Sequence, residues 1–194
     1  GTKTYTGLVT INSGGNWNNT ANSPITFRGG ITNNGTFNSG TGVQTFSTNN
    51  QSVSGTISIS SATVTGITLT NNGTLSITTA LAGTGGLTQG ANDILYLGGT
   101  TTISTLTATA AGNTVVYNGA AQTVKGTTYQ SLNLDGSGTK TLGAATTTNG
   151  TLTVNNGVSF ALSNFLLTIN GDLINDGTVS GTTGGVTIGG TADQ

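Results

Sequence analysis

Residues 113–154 read NTVVYNGAAQTVKGTTYQSLNLDGSGTKTLGAATTTNGTLTV. Leu132–Leu134 and Leu152–Val154 alternate apolar, polar, apolar, and Val115–Tyr117 is a third short apolar segment. Successive side chains of a strand point to opposite faces, so each segment offers one side to a core and one to water. Gly, Asn and Asp separate the segments and mark corners. Similar segments recur on both sides of this stretch, among them Leu8–Ile11, Ile25–Phe27, Val43–Phe46, Ile57–Ile59, Leu75–Ile77, Ile94–Leu97, Val158–Phe160, Leu166–Ile169 and Val186–Ile188. No stretch carries the 3.6-residue period of an amphipathic helix.

Composition agrees with an all-β chain. Of 194 residues, 32% are hydrophobic and only 5% charged, against roughly 45–50% and 25% in an ordinary globular domain. Thr, Gly, Asn and Ser make up the difference. Disordered chains combine high net charge with few β-branched residues, whereas the formal net charge here is −1 and Thr, Val and Ile abound. β-Branched side chains fit a pleated surface and lose rotamer freedom in a helix.

The same composition excludes several functions. Without Cys or His there are no disulfides, thiolate chemistry or imidazole metal sites. Lys3, Arg28, Lys125 and Lys140 are scattered, so no basic stripe exists to engage nucleic acid. No run of about 18 apolar residues is present to insert in a membrane. The start of the sequence has no signal peptide, as a mature exported protein would not.

A degenerate repeat runs along the chain. Asn or Asp followed by Gly, Thr and an apolar residue occurs at Asn34–Phe37, Asn72–Leu75, Asn149–Leu152 and Asp176–Val179. Asn34-Gly35, Asn72-Gly73, Asn149-Gly150 and Asp176-Gly177 read as corners in which positive φ is tolerated at little cost. Asn72 follows Asn34 by 38 residues and Asn149 follows Asn72 by 77, one and two copies of a unit of about 38, while Asp176 follows after only 27. Gln44-Thr45-Phe46 returns as Gln122-Thr123-Val124, 78 residues later. Two architectures bury such short strands, a parallel β-helix and an antiparallel β-sandwich. The repeat favours the β-helix, and Asn-Gly hairpins would favour the sandwich. With about 20 residues per turn and about 4.8 Å between turns, residues 1–194 would form one elongated domain of about nine turns, roughly 45 Å long.

Residues 113–181, through NNGVSFALSNFLLTINGDLINDGTVSG, resemble the degenerate repeats of very large secreted bacterial surface adhesins and extracellular fibre proteins. The resemblance lies in the order of an apolar-Tyr-Asn-Gly strand, a Gln-Thr-Val turn, a Leu-x-Leu strand, a Gly-Thr-Lys-Thr-Leu strand and an Asn-Gly-Thr-Leu corner. It is partial over residues 37–77 and absent from residues 1–30, which contain Trp17 and the only proline, Pro24. It implies a parallel β-helix exported to the cell surface, and it brings no catalytic residues.

Candidate sites are few, and each has a structural reading. The acids are Asp93, Asp135, Asp172, Asp176 and Asp193, and glycoside chemistry needs two carboxyls held about 5–10 Å apart. Only Asp172 and Asp176 are near in sequence, and Asp176 already has a corner role. Asp93, in GANDILYLGG, is a Ca²⁺ candidate without a tandem second copy to complete the ligand set. Thr105, Thr107 and Thr109 alternate as in a hydroxyl ladder on an ice-binding solenoid, but no fixed period keeps Thr in register along the chain. Tyr5, Trp17, Tyr96, Tyr117 and Tyr129 are dispersed and suit packing, with Trp17 and Tyr129 the candidates for surface glycans. Sequons at Asn18, Asn34, Asn50, Asn72 and Asn149 are equally explained by turn chemistry.

The ends carry the functional expectation. A solenoid whose terminal turns have no cap exposes unpaired backbone groups and apolar edges, and neither end of this sequence contains a helix candidate. Residues 1–30 read as an assembly or capping region. Thr4, Leu8 and Ile11 at one end and Val186 and Ile188 at the other are candidate assembly strands. The expectation is a non-enzymatic, cofactor-free, secreted filament subunit whose partners are other copies of itself. The alternative is a glycan-binding or surface-binding module of a larger adhesin.

Overall fold

The computed structural model describes residues 1–189, and Asp193 lies outside them. The described chain is all-β, a parallel β-solenoid of about ten turns, which excludes the antiparallel sandwich. Each turn crosses three faces. On the first face lie Lys3–Tyr5, Ile25–Phe27 and Val43–Ser47, continuing to Gly138–Leu142, Val158–Ala161 and Thr178–Ser180. The second carries Val9–Ile11 and Ile31–Asn33 at one end and Thr146–Thr148, Leu167–Ile169 and Val186–Ile188 at the other. The third runs from Asn16–Asn18 and Thr36–Asn38 to Ile94–Leu97, Thr114–Tyr117, Ser131–Leu134, Leu152–Val154 and Leu173–Asn175. Two 15-residue strands, Gln51–Thr65 and Thr68–Ala82, wrap all three faces without a break.

Strand alternation builds the core directly. Leu75, Leu95, Val115, Leu132 and Leu152 follow one another up the third face, and none is more than 1% exposed. Each such side chain contributes about 1.5–3 kcal/mol by leaving water. Inward polar residues sit where faces meet and bond the corner backbone. Gln51 Nε2 donates to the carbonyls of Phe27, Ser47 and Asn49, and its Oε1 accepts from the Gly30 amide. Gln122 does the same with Leu97, Gly99 and the Gly119 amide. Burying these two amides is tolerable because both ends of each find partners.

Turn length varies while the stacking stays parallel. Thr114 pairs with Ser131, 17 positions on, and Lys3 with Ile25, 22 positions on. The unit of about 38 residues is therefore two turns. Asn34-Gly35 and Asn149-Gly150 both leave the second face, whereas Asp176-Gly177 leaves the third, which accounts for its odd spacing. Asn72-Gly73 lies inside the strand Thr68–Ala82 at the equivalent bend.

These glycines are not selected by positive φ, since neither they nor the Asn or Asp before them adopt it. They are selected by close stacking. A Cβ on Gly150 would lie 2.7 Å from the Gln130 carbonyl oxygen of the turn beneath, and one on Gly35 would lie 2.6 Å from that of Asn12. The strands of residues 1–30 form the first turn and the start of the second.

Candidate functional site

The end faces are the places where the solenoid pattern is left incomplete. Leu173, Val186 and Ile188 occupy inward columns, paired with Leu152, Leu167 and Ile169. Those three mates are 0%, 1% and 1% exposed, whereas Leu173, Val186 and Ile188 are 41%, 47% and 55% exposed. Among the described residues no turn lies above them. Their strands are paired on one side only, so a row of backbone donors and acceptors faces outward as well.

The opposite end shows the same arrangement. Tyr5 pairs with buried Phe27 and Val9 with buried Ile31, yet both remain partly exposed. Ile11 is buried, Thr4 points outward beside Thr26, and Leu8 is 58% exposed at the corner before its strand. Aromatic rings stiffen this end. Tyr5 meets Trp17 edge-on at 5.1 Å between centroids, Trp17 stacks with Phe37 at 5.9 Å, and Phe27 stacks with Phe46 at 5.6 Å. Lys3, Tyr5, Asn16, Trp17 and Asn18 border a shallow depression. The Trp17 Nε1 donor is buried there without a partner among the described residues.

Charge differs between the ends. Lys3 is exposed in the first turn, and Asp172 and Asp176 are exposed in the corners on either side of the strand Leu173–Asn175. Asp93 and Asp135 lie in the middle of the rod, and burial raises the Asp93 carboxyl above the usual carboxylate range. No cluster of three metal-ligating side chains occurs among the described residues. Nor is any helix there long and apolar enough to cross a membrane.

Several sequence candidates have a definite place. Tyr129 is fully buried, so it is not available to a glycan: its hydroxyl donates to the Lys125 carbonyl at 2.6 Å and lies 3.2 Å from the Tyr117 hydroxyl. Burial raises both phenols above their ordinary value. The five sequon asparagines are exposed. Threonine is also more regular than the sequence suggests. Thr70, Thr88 and Thr107 pair in succession on the outside of the second face, and Thr147, Thr168 and Thr187 continue that side near the C-terminal end. Gly86 breaks the parallel row between Thr68 and Thr105, so the hydroxyl surface there is one residue wide.

Lys140 is the residue the sequence reading overlooked. It stands inward on the first face between Gln122 and Phe160 and is 0% exposed. Its Nζ donates to the carbonyls of Gly119, of Ala120 at 2.6 Å and of Ser137 at 3.2 Å. Burial pulls its pKa below the usual ammonium value, and the negative charge of Asp135 opposes that. The alternation Gly-Thr-Lys-Thr-Leu placed this lysine inward all along; its charge argued otherwise.

Comparison with protein-family models, curated proteins and solved structures returns no significant match. The end faces therefore have to be interpreted from their own geometry.

Proposed function

We propose that the chain is a structural subunit of an extracellular filament, assembled head to tail through its two end faces. The observation that carries this reading is the exposure of Leu173, Val186 and Ile188, whose column mates one turn below are buried. One further turn of parallel strand would bury them and pair the open backbone edge. A second copy supplies such a turn, because its first strands have the same parallel alternation and an open edge of their own. A contact of this kind joins two different surfaces and does not close, so it propagates into a fibre.

Area alone does not decide the matter. Burying the remaining half of three aliphatic side chains contributes on the order of 3 kcal/mol, whereas association costs about 4–15 kcal/mol in lost freedom. The balance has to come from Tyr5, Val9 and Trp17 and from the new ladder hydrogen bonds. The low charge of the chain supports a role outside the cell in which backbone pairing bears load and Thr and Asn keep the surface wet. The reading assigns it no catalysis and no cofactor.

The second reading is a module of a longer surface adhesin, in which neighbouring turns of the same chain cover both ends. Electron microscopy of the purified chain tests the first. Fibres with a strand spacing near 4.8 Å along the axis support it, and dispersed rods at high concentration reject it in favour of the module.

A further inference from the structure

The interior of the rod already contains a model of the joint. Lys140 lies over the corner that leads into Gln122, its ladder partner one turn below, and its ammonium takes carbonyl oxygens from Gly119 and Ala120 of that corner. The corner begins Asn118-Gly119. Lys3 occupies the same kind of position, inward on the first face, and among the described residues no strand pairs with its outer side. At the other end of the rod, the last first-face strand is Thr178–Ser180, with Val179 in the inward column above Phe160. The corner leading into it is Asp176-Gly177, an acidic counterpart of Gly119-Ala120.

We infer that the next copy stacks its Lys3–Tyr5 strand on Thr178–Ser180, seating the Lys3 ammonium on the Asp176-Gly177 corner. This rests on the filament reading and deepens it by fixing the register of the joint; in this register the incoming copy covers Val186 and Ile188, and the position above Leu173 is left open. Three features of the molecule converge on it. The internal lysine shows that the position suits an ammonium. Asp176 adds a negative charge at a corner whose internal counterpart, Gly119-Ala120, has none, and a charge-assisted contact is stronger than a neutral one. On the second face the same register sets Val9 and Ile11 over the exposed Val186 and Ile188.

A competing register exists. Among the described residues the third face carries one strand fewer at its C-terminal end, and no strand lies above Leu173–Asn175. Rotating the incoming copy by one face would place Lys3–Tyr5 there instead and bring Lys3 next to Asp172. The two registers thus pair Lys3 with different carboxylates, and charge reversal separates them.

The experiment measures fibre growth by light scattering and electron microscopy for the full chain, with thermal unfolding of each variant as a control for folding. Lys3→Glu and Asp176→Lys each slow growth at least tenfold, the two combined in one chain restore it, and Asp172→Lys changes it less than twofold. Normal growth of Lys3→Glu, or rescue of Lys3→Glu by Asp172→Lys in place of Asp176→Lys, overturns the joint while the filament reading stands. Absence of fibres from the unmodified chain overturns both.

Discussion

Leu152 and Leu173 are consecutive residues in one inward column, and the first is fully buried while the second is 41% exposed. The same side chain in the same column thus has two roles, set only by whether a turn lies above it.

Truncation should separate those roles. Leu152→Ala removes a buried side chain from a packed column and should cost about 2–5 kcal/mol. Leu173→Ala should cost under about 1 kcal/mol in the isolated chain. Chemical denaturation under conditions that keep the chain dispersed makes the comparison.

Placing a charge on the end face should block assembly without unfolding the rod. Ile188→Asp puts a carboxylate where the next copy would desolvate it, so fibre growth should fall at least tenfold. Because Ile188 is 55% exposed, the melting curve of the dispersed chain should barely move. Sedimentation and thermal unfolding of the same preparation check both halves.

Gly55 should be intolerant of any side chain. It has φ +80°, and a Cβ would overlap the Asn33 carbonyl oxygen of the turn beneath. Gly55→Ala should cost at least about 1–3 kcal/mol from the backbone conformation alone. Gly66 provides the control, since it has φ +65° but nothing within 4 Å of a Cβ, so Gly66→Ala should be the milder change in thermal unfolding.

Alkaline pH should weaken the rod through Tyr117 and Tyr129. Burial raises both phenols in the folded chain, so the folded state holds its protons more tightly than the unfolded state does. Their contribution is therefore complete below the ordinary phenol value of about 10 and is lost as pH rises through it toward the raised folded values. Lys140 acts in the opposite sense, because its lowered value makes stability rise with pH. The phenol effect is accordingly the difference between the parent chain and the Tyr117→Phe, Tyr129→Phe chain, followed by denaturation between pH 8 and 11. Equal slopes for the two would refute it.

The alternation of Leu132–Leu134 and Leu152–Val154 was enough to assign the strands and their inward sides, because period two is a property of the strand itself. The parallel stacking was legible through the repeat, carried by the spacing of Asn34, Asn72 and Asn149 and by the recurrence of Gln44 and Gln122 on the same face. The Asn-Gly corners were harder to interpret. Asn34, Asn149 and Asp176 look alike in sequence, yet the first two leave the second face and Asp176 the third, and the demand for Gly35 and Gly150 comes from a turn some 20 residues away. Lys140 was hidden for a related reason: an ammonium is accepted inside only because the Gly119, Ala120 and Ser137 carbonyls converge there. Short-range pattern cannot reveal a partner supplied by the next turn.

Turn length ranges from the 17 residues between Thr114 and Ser131 to the 22 between Lys3 and Ile25, yet every turn advances the rod by one strand spacing. The length of the molecule is therefore counted in whole steps and is indifferent to how many residues each step uses. Loops grafted at corners would decorate the outside and leave the ruler unchanged, whereas deleting one complete turn would shorten it by a single graduation of about 4.8 Å.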